Sequence, residues 1–443
     1  MFVLYISAFC SLLVIYVLLF HYHYLSIAFQ RLIKDQTMAQ IQSFRAIRPN
    51  PFYADQLVFT TPQAESVSGD NTKSGALAPL KTLLETGARK RPETPEGQVR
   101  AFQDIKDTLK DLFQKDQLWH EEAPGIYVYE VVHKTYRQTG IWALTSLEDY
   151  RGGAIKIHEL TFEDSVRRLT NYRRNTGLEG SPILLTYPPD ITINRIIAET
   201  RKKNQKITLG NQHGLHRLWK IEDPEVLRQL ITAFANIPVA YLADGHHRIE
   251  SSATLAEEQR LKKIPVYNTI SSLYMAADQL RIEEYDRVVI PSNSISNTAF
   301  FKHLTQHFDV QPSEQVVQPR TIHCLGLYFS GKWYNLTAKL HTYINKGPAA
   351  LLDASILQKV ILAPVFGIED PKTDSRLKCA GGKKAIEEIE AIIKGHPDAI
   401  VFTLCPLSVE QLIAVAEAGE ILPPKSTWIV PKIPYALLLH HHS

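Results

Sequence analysis

Five consecutive residues, Asp244-Gly245-His246-His247-Arg248, combine groups that can hold a phosphate. An Arg guanidinium binds phosphate oxygens through two parallel hydrogen bonds, Gly245 forms a tight turn without a Cβ clash, and Asp244 is a candidate Mg²⁺ ligand. The segment, called the 244–248 turn below, is therefore predicted to bind phosphate. The alternative is a turn in which Asp244 caps the next helix while both histidines bond to backbone carbonyls.

The sequence around the 244–248 turn predicts the elements that would place a phosphate at a helix start. An apolar run at residues 237–243 has the length of a buried strand, and residues 249–261 follow a helical pattern. Arg248 is thereby predicted at the N-terminus of a helix. Free backbone N–H groups and the positive end of the helix dipole favour a negative charge at that position.

His158 and Glu159 form the second group of candidate residues. They follow a short strand-like run at residues 154–157 and precede a charged helical stretch. Phosphoryl transfer to a hydroxyl group needs an acceptor for the proton, and we predict Glu159 as this general base, with His158 and His247 as further catalytic residues. The alternative is a capping Glu beside a packed His. A zinc-protease motif is excluded, because it needs a second His where Phe162 stands.

Arg167 and Arg168 lie on the charged helical stretch and are predicted to add positive charge at the phosphates. The alternative is a solvent-exposed ion network, in which these arginines and Arg173 pair with acidic neighbours such as Asp164 and Glu179. Exposed ion pairs of that kind contribute little to stability or function.

A dense polar segment at residues 369–376, called the 369–376 loop below, is a candidate second part of the site. Asp370 and Asp374 are predicted to supply carboxylates to Mg²⁺, and Arg376 is predicted to contact a substrate. Lys425 offers a further cation on a connection ordered by prolines. The alternative for the loop is an Asp-Pro turn with an Asp cap on the next element.

Composition excludes several classes of protein. The chain has 443 residues, of which 44% are hydrophobic and 21% charged, so it can bury substantial cores and is not disordered. The net charge of +3 gives no electrostatic reason to bind nucleic acid, and no basic helix-turn-helix segment occurs. The four cysteines form no Cys-x-x-Cys pair, which predicts a reducing, cytoplasmic location.

The N-terminal segment, residues 1–37, has two interpretations. Its first twenty residues are apolar and long enough to cross a membrane, and Arg31 and Lys34 follow them, so the body would stay in the cytoplasm behind a single anchor. The sequence that begins at Met38 resembles the ordinary start of the family whose similarity is described below, and the preceding residues would then be translated only from a misplaced start codon. Both interpretations stay open at the level of sequence.

Patterns in the remaining chain predict an α+β fold with mixed sheets. Residues 126–132 and 139–147 alternate in polarity as a β-hairpin does, and Ser408 with Gln411 predicts a capped helix after a buried strand at 399–404. The predicted units are the N-terminal segment 1–37, an accessory unit 38–124, a middle domain 125–290 and a C-terminal α/β unit 291–443.

The 244–248 turn resembles the phosphate-binding turn of the ParB/sulfiredoxin fold, in which free-serine kinases carry a similar Asp-Gly-His-His-Arg turn. That resemblance implies a ParB/sulfiredoxin-like middle domain. A longer stretch is similar to a prokaryotic family known only as domain of unknown function number one thousand and fifteen. The elements that carry this similarity are Phe44-Arg45-Ala46-Ile47-Arg48-Pro49, His158-Glu159-Leu160-Thr161, Leu242-Ala243 with the 244–248 turn, Ala277-Asp278-Gln279-Leu280, Gly367-Ile368-Glu369-Asp370-Pro371 and Pro423-Pro424-Lys425-Ser426-Thr427-Trp428.

The resemblance to the serine kinases implies a nucleotide-dependent phosphotransferase that uses ADP or ATP, with Mg²⁺, on a small hydroxyl compound such as serine. A sulfiredoxin activity is disfavoured, because His246 stands where that family has a cysteine. The competing hypothesis is a non-catalytic module that binds a nucleotide and responds to it. Neither hypothesis involves nucleic acid, and a membrane is involved only if residues 1–37 are translated.

Overall fold

The computed structural model describes residues 40–58, 80–89, 94–203, 207–211, 214–293, 295–344 and 346–442. The predicted membrane anchor at residues 1–37 lies outside this part of the chain. Within these ranges no helix combines the length and the apolar character needed to span a bilayer.

Short strands and three helices occupy the described residues up to 120: β1 (Ile41–Gln42), β2 (Ile47–Pro49), α1 (Ala54–Val58), α2 (Leu80–Arg89), α3 (Pro95–Gln114) and β3 (Leu118–His120). The middle of the chain alternates strands and helices: β4 (Ile126–Val132), β5 (Arg137–Ser146), α4 (Leu147–Arg151), β6 (Ile155–Lys156), α5 (Glu163–Thr176), β7 (Leu178–Glu179), β8 (Ile183–Tyr187), α6 (Ile191–Thr200), β9 (Ile207–Asn211), β10 (Gly214–Ile221), α7 (Pro224–Ala235), β11 (Ala240–Asp244), α8 (His246–Leu261), β12 (Thr269–Ala276), β13 (Arg281–Glu283) and β14 (Tyr285–Val289).

The C-terminal third contains α9 (Asn297–His307), β15 (Phe308–Ser313), β16 (Cys324–Phe329), β17 (Lys332–Ala338), α10 (Asp353–Leu357), α11 (Ala363–Phe366), β18 (Leu377–Gly381), α12 (Ala385–Gly395), β19 (Ile400–Leu404), α13 (Val409–Glu417), β20 (Trp428–Val430) and β21 (His440–His441). A π-helical turn at Gln358–Leu362 joins α10 to α11, and short 3₁₀ turns lie at Leu340–Thr342, Pro348–Leu351 and Gly382–Lys384. The predicted capping box before α13 is confirmed. The Ser408 side chain accepts a hydrogen bond from the Gln411 N–H, and the Gln411 side chain accepts one from the Ser408 N–H.

The larger sheet has nine strands and is mixed, as predicted. Its order is β6-β11-β8-β12-β5-β4-β10-β9, with β1 on the end of β5. Strands β4 and β5 pair antiparallel, which confirms the predicted hairpin, whereas β8 and β12 pair parallel, as do β6 and β11. The second sheet, of order β15-β17-β16-β19-β14-β18, is antiparallel throughout.

Both faces of the larger sheet are covered. Because side chains alternate along a strand, Ile126 and Val128 of β4 enter one core and Tyr127 and Tyr129 enter the other. The first core is closed by α6, α7 and α8. The second also contains Phe44 near the N-terminal end and residues of α13. Residues of the predicted accessory unit, middle domain and C-terminal unit therefore share a core, and the boundaries at 124 and 290 stay predictions.

Candidate functional site

Two neighbouring parallel strands bring His158 and Glu159 to the 244–248 turn. Strand β6 pairs parallel with β11, with Ile155 opposite Ala240, so both strands end at the same edge of the sheet. The residues that follow them therefore meet in space. The His158 and His246 rings lie 4.6 Å apart between centroids, and Glu159 Oε2 lies 3.8 Å from His246 Nδ1.

The 244–248 turn is tighter than the sequence indicated. Helix α8 begins at His246, three residues before its predicted start, so Gly245 alone joins strand to helix. Its φ of +103° is the left-handed region, and an added Cβ would lie 2.8 Å from Arg248 Nε and 2.9 Å from Ile183 Cγ2. The register between β11 and β8 also shifts between Leu242 and Asp244, a β-bulge of the kind that redirects side chains next to functional sites.

The start of α8 has no side-chain cap among the described residues. Asp244 does not cap it, because the Asp244 carboxylate accepts a hydrogen bond from the Arg248 guanidinium. The alternative interpretation, in which Asp244 caps the helix, is therefore wrong. The first N–H groups of a helix have no partner within it, and here the Arg248 N–H donates to the Gly245 carbonyl at 2.9 Å. The N–H groups of His246 and His247, with the adjacent guanidinium, are therefore the groups suited to an anion.

The histidines of the turn accept hydrogen bonds from backbone N–H groups, and the predicted bonds to carbonyls are absent from the described contacts. His246 Nε2 accepts a long bond of 3.5 Å from the N–H of His158, and His247 Nε2 accepts one of 3.0 Å from the N–H of Phe162. A neutral imidazole that accepts at Nε2 carries its proton on Nδ1. His246 thus points an N–H toward Glu159, while His247 is fixed in position and stacks on Phe162.

Burial keeps the inner histidines neutral at pH 7. It lowers the pKa of His158 to about 4, with Asp244 opposing the shift, and it lowers the pKa of His246 well below the usual value. Neither ring nitrogen of His158 has a hydrogen-bond partner among the described residues. His158 therefore acts as a packed neutral ring against His246, and the catalytic role predicted for it stays a prediction.

Glu159 lies among charges from three separate segments. Burial raises the pKa of its carboxyl group, and Asp244 adds to the rise, whereas the ammonium groups of Lys372 and Lys425 oppose it. A half-buried carboxylate with a raised pKa is a stronger base than one in water. Glu159 thus combines the position and the basicity that proton transfer needs.

Lys372 was missed by the sequence analysis, which selected the carboxylates of its loop. Its Nζ lies 4.0 Å from the centre of the Phe162 ring, next to the ring of His247, and its charge acts on both His247 and Glu159. The signal available in the sequence was only a Lys in a charged loop. Nothing local distinguishes it from an exposed surface lysine.

The acidic residues of the 369–376 loop bond within the loop. Asp370 accepts from the Lys372 N–H at 2.9 Å and from the Thr373 hydroxyl at 3.0 Å, which is the pattern of the predicted Asp-Pro turn. Asp374 pairs with Arg376, and Arg376 also donates to the carbonyl of Phe366 at 2.9 Å. Roles for Asp370, Asp374 and Arg376 in binding Mg²⁺ or substrate stay predictions, and these contacts give each of them a structural role.

Arg167, Arg168 and Arg173 have different surroundings on α5. Arg167 forms an exposed ion pair with Asp164 at 2.7 Å, whereas Arg168 lines a cavity together with Arg248. Arg173 is buried and was not among the predicted site residues. Its guanidinium donates to Glu179 at 3.0 Å and to the Arg248 carbonyl at 2.8 Å, so it fixes the backbone of the 244–248 turn.

No group of three or more His, Cys, Asp or Glu side chains in the described part of the chain has the arrangement of a metal site. Mg²⁺ commonly uses only one or two carboxylates and takes its other ligands from phosphates and water. Asp244 fits that pattern, since it is half exposed at the same helix start that would hold the phosphates.

Comparison with solved structures gives distant similarities. A free serine kinase mutant in complex with AMP is 12% identical, with a TM-score of 0.35 over 67% of this chain and 92% of its own. A conserved hypothetical protein from Pyrococcus furiosus is 13% identical, with a TM-score of 0.34 over 68% and 95%. SbnI from Staphylococcus aureus, truncated at its C-terminus, is 12% identical, with a TM-score of 0.35 over 67% and 87%.

No curated protein matches the sequence. A family of proteins described as "Protein of unknown function (DUF1015)" matches residues 41–355, and the match ends before the similar elements noted at 367–371 and 423–428. Because it spans well over half of the sequence and includes both the His158-Glu159 pair and the 244–248 turn, the chain belongs to the DUF1015 family.

Proposed function

We propose that this protein is a phosphotransferase that moves a phosphoryl group from ADP or ATP to a small hydroxyl compound. The observation that carries the proposal is the position of the Glu159 carboxylate beside the start of α8, where Arg248 and uncapped N–H groups are suited to phosphate. A base and a phosphate cradle at one site are the two parts that this reaction requires.

In the proposed reaction the acceptor hydroxyl oxygen attacks the terminal phosphorus of the nucleotide. The bond from that phosphorus to its bridging oxygen breaks, and the shortened nucleotide leaves with the electron pair. Glu159 takes the hydroxyl proton, while Arg248 and the N–H groups of α8 stabilise charge on the phosphoryl oxygens. Mg²⁺ held by Asp244 would supply further charge neutralisation on the phosphates.

His246 positions the base in this mechanism. Its Nδ1–H faces Glu159 Oε2, its Nε2 is engaged by the N–H of His158, and burial keeps the ring uncharged. At 3.8 Å the neutral ring approaches the carboxylate without a hydrogen bond, and it leaves the basicity of Glu159 higher than a cation at the same place would. Serine is the first acceptor to test, because of the resemblance of the 244–248 turn to that of the free-serine kinases.

A second candidate function is a nucleotide-responsive binding module. It is favoured by contacts that run from the turn to the C-terminal segment: the Arg248 carbonyl accepts from Arg173, Arg173 pairs with Glu179, and His442 Nε2 lies 3.3 Å from Glu179. A change at the turn on ligand binding can reach the C-terminal segment through such a connected network.

The test is calorimetric titration of the protein with ADP, ATP and CTP, with and without Mg²⁺, followed by transfer assays with terminally labelled nucleotide. The acceptor panel contains serine, threonine, glycerol and simple sugars. We expect nucleotide binding and label transfer to at least one acceptor. Binding without transfer to any acceptor would favour the module, and absence of binding would contradict both functions.

A further inference from the structure

A large cavity borders the 244–248 turn on the side of α5. It has a volume of about 610 Å³, which lies within the range of small-molecule sites. Residues of α2, α3 and α5 form its walls, and Arg248 is part of its lining. Arg248 also lines a smaller neighbouring cleft with Asp244 and Lys432, so its side chain lies at the junction of the two spaces.

The walls of the cavity are mainly apolar and partly aromatic. Leu84, Ile105 and Leu169 contribute aliphatic surface, and Phe102 and Tyr172 contribute rings. Apolar walls of this kind favour a ligand with an apolar or aromatic body. Aromatic side chains stack on any nucleobase, because every base presents a π face.

The charged part of the lining favours an anion. Lys81, Arg168, Arg173 and Arg248 are cationic, and Glu179 is the acid that faces them. Glu179 is engaged by Arg173 at 3.0 Å. Arg168 has no hydrogen bond or ion pair with the side chains that the structure describes, and it lines the cavity together with Arg248 of α8.

The space on the other side of Arg248 is much smaller. The cleft has a volume of about 100 Å³, and its charged lining residues are Asp244, Lys432 and Arg248, which lie among the apolar residues Pro182, Leu184, Ile429, Pro431 and Ile433. A nucleoside needs more room than this, because sites for drug-sized ligands have volumes of roughly 300 Å³ or more. A small polar acceptor can enter the cleft and form hydrogen bonds with the Asp244 and Lys432 side chains.

We propose that the nucleoside of the bound nucleotide occupies the cavity between α3 and α5, with Tyr172 or Phe102 against its base and its phosphates directed past Arg168 to Arg248. The acceptor enters on the side of Asp244 and Glu159. This assignment rests on the proposed function for the presence of a nucleotide, and it adds which space each substrate fills. Arg248 then separates donor from acceptor and contacts the group that moves between them.

The test compares ADP with inorganic pyrophosphate as calorimetric ligands, since only ADP carries a nucleoside. In Tyr172→Ala we expect roughly a tenfold loss of affinity for ADP, the size of one stacking contact, and an unchanged affinity for pyrophosphate. Leu169→Trp places a larger side chain in the cavity and leaves less room for the nucleoside. It should weaken ADP binding by at least as much. Tyr343→Ala is the matched control, because Tyr343 is also partly buried but stacks on His323 in the C-terminal part of the chain.

Three results would overturn the assignment. The first is that Tyr172→Ala and Leu169→Trp have melting curves of folded proteins and bind ADP as the wild type does. The nucleoside then lies elsewhere, and the proposed phosphate site is retained. If the wild type binds neither ADP nor pyrophosphate, the proposed function fails and the assignment fails with it. If pyrophosphate binding depends on Arg248 and ADP binds no more tightly than pyrophosphate, the proposed phosphate site is retained and the assignment of the nucleoside to the cavity is rejected.

Discussion

The 244–248 turn and the 369–376 loop look equally promising as charged segments of sequence, but their charges are used differently. In the loop, the Asp370 carboxylate accepts a hydrogen bond from the backbone N–H of Lys372, and Asp374 and Arg376 bond to each other. At the turn, Arg248 also pairs with Asp244, but its side chain lines two cavities. The start of α8 has no side-chain cap, and Glu159 is half buried among charges of both signs.

The difference shows that charge density alone does not mark a site. Polar groups that satisfy one another locally stabilise a loop, and they have little capacity left for a ligand. Polar groups held by the fold next to an open space retain that capacity. Lys372 confirms the distinction from within the loop, because its side chain leaves the local network and approaches Glu159 and the Phe162 ring.

The largest expected difference between the regions is in turnover. Glu159→Gln keeps the size of the side chain but removes the base, so transfer should fall by roughly 10²–10⁴-fold while nucleotide affinity changes little. Glu369→Gln, the same substitution in the loop, should leave both unchanged. Steady-state transfer assays and calorimetry on the two variants make the comparison, and equal turnover losses would remove the distinction between the regions.

The regions should also respond differently to acid. The folded state resists protonation of His158 down to its pKa of about 4, whereas the unfolded chain takes up that proton below the usual value of 6.5. The free energy of unfolding should therefore decrease as pH falls from about 6.5 to about 4, by up to about 3 kcal/mol from this residue.

Urea unfolding at a series of pH values measures this effect. His158→Phe, which keeps a ring against His246, should make the decrease between pH 6.5 and 4 less steep, and the remaining slope comes from other buried histidines such as His246 and His440. Asp374→Asn should not, because Arg376 lowers the pKa of Asp374, and any stability from that pair is lost only at lower pH. A wild-type curve that is flat above pH 4 would show that His158 is not kept neutral by burial.

A smaller effect is expected on ligand affinity. Arg248→Ala should weaken nucleotide binding by about 2 kcal/mol, because a charge-assisted hydrogen bond to phosphate is lost, with little change in melting temperature. Arg376→Ala should lower the melting temperature and leave nucleotide affinity unchanged, since Arg376 bonds to Asp374 and to the Phe366 carbonyl. Calorimetry and thermal melting of both variants decide this. An Arg248→Ala protein with a much lower melting temperature and unchanged nucleotide affinity would show that Arg248 has only a structural role.

Much of the structure of the 244–248 turn could be predicted from the sequence. The apolar run, Gly245 and the following helical pattern are local signals, and strand β11, the positive φ and helix α8 follow from them. These structural predictions succeed because local propensity and the tertiary fold favour the same structure at these residues. The sequence also marked Glu159 as a base by residue type, and that role stays a prediction.

The side chains that surround the turn in space could not be predicted from such local signals. Glu159 meets the turn because β6 pairs with β11, residues about 85 positions apart in sequence, and pairing order is a property of the whole sheet. The same holds for Lys372, which approaches from the C-terminal third, and for Arg173, whose burial distinguishes it from the other arginines of α5. Residue type predicts what a side chain can do, and only the fold decides what it faces.

The smallest expected difference concerns two glycines with positive φ, Gly245 at the turn and Gly367 next to the loop. An alanine at either position is strained by about 1 kcal/mol through its backbone conformation. At Gly367 nothing lies within 4 Å of an added Cβ, so that is the whole expected cost, whereas at Gly245 the Cβ would also meet Ile183 and the Arg248 side chain.

Gly245→Ala should therefore lower the free energy of unfolding by about 1–3 kcal/mol, more than Gly367→Ala does, as measured by urea denaturation. Part of the strain can be relieved if the flexible Arg248 side chain moves away from the new methyl group. That movement would displace the guanidinium from the phosphate position, so Gly245→Ala should also weaken nucleotide binding, and Gly367→Ala should not. Equal stability losses and unchanged affinity in both variants would mean that the close approach at Gly245 has no role in shaping the site.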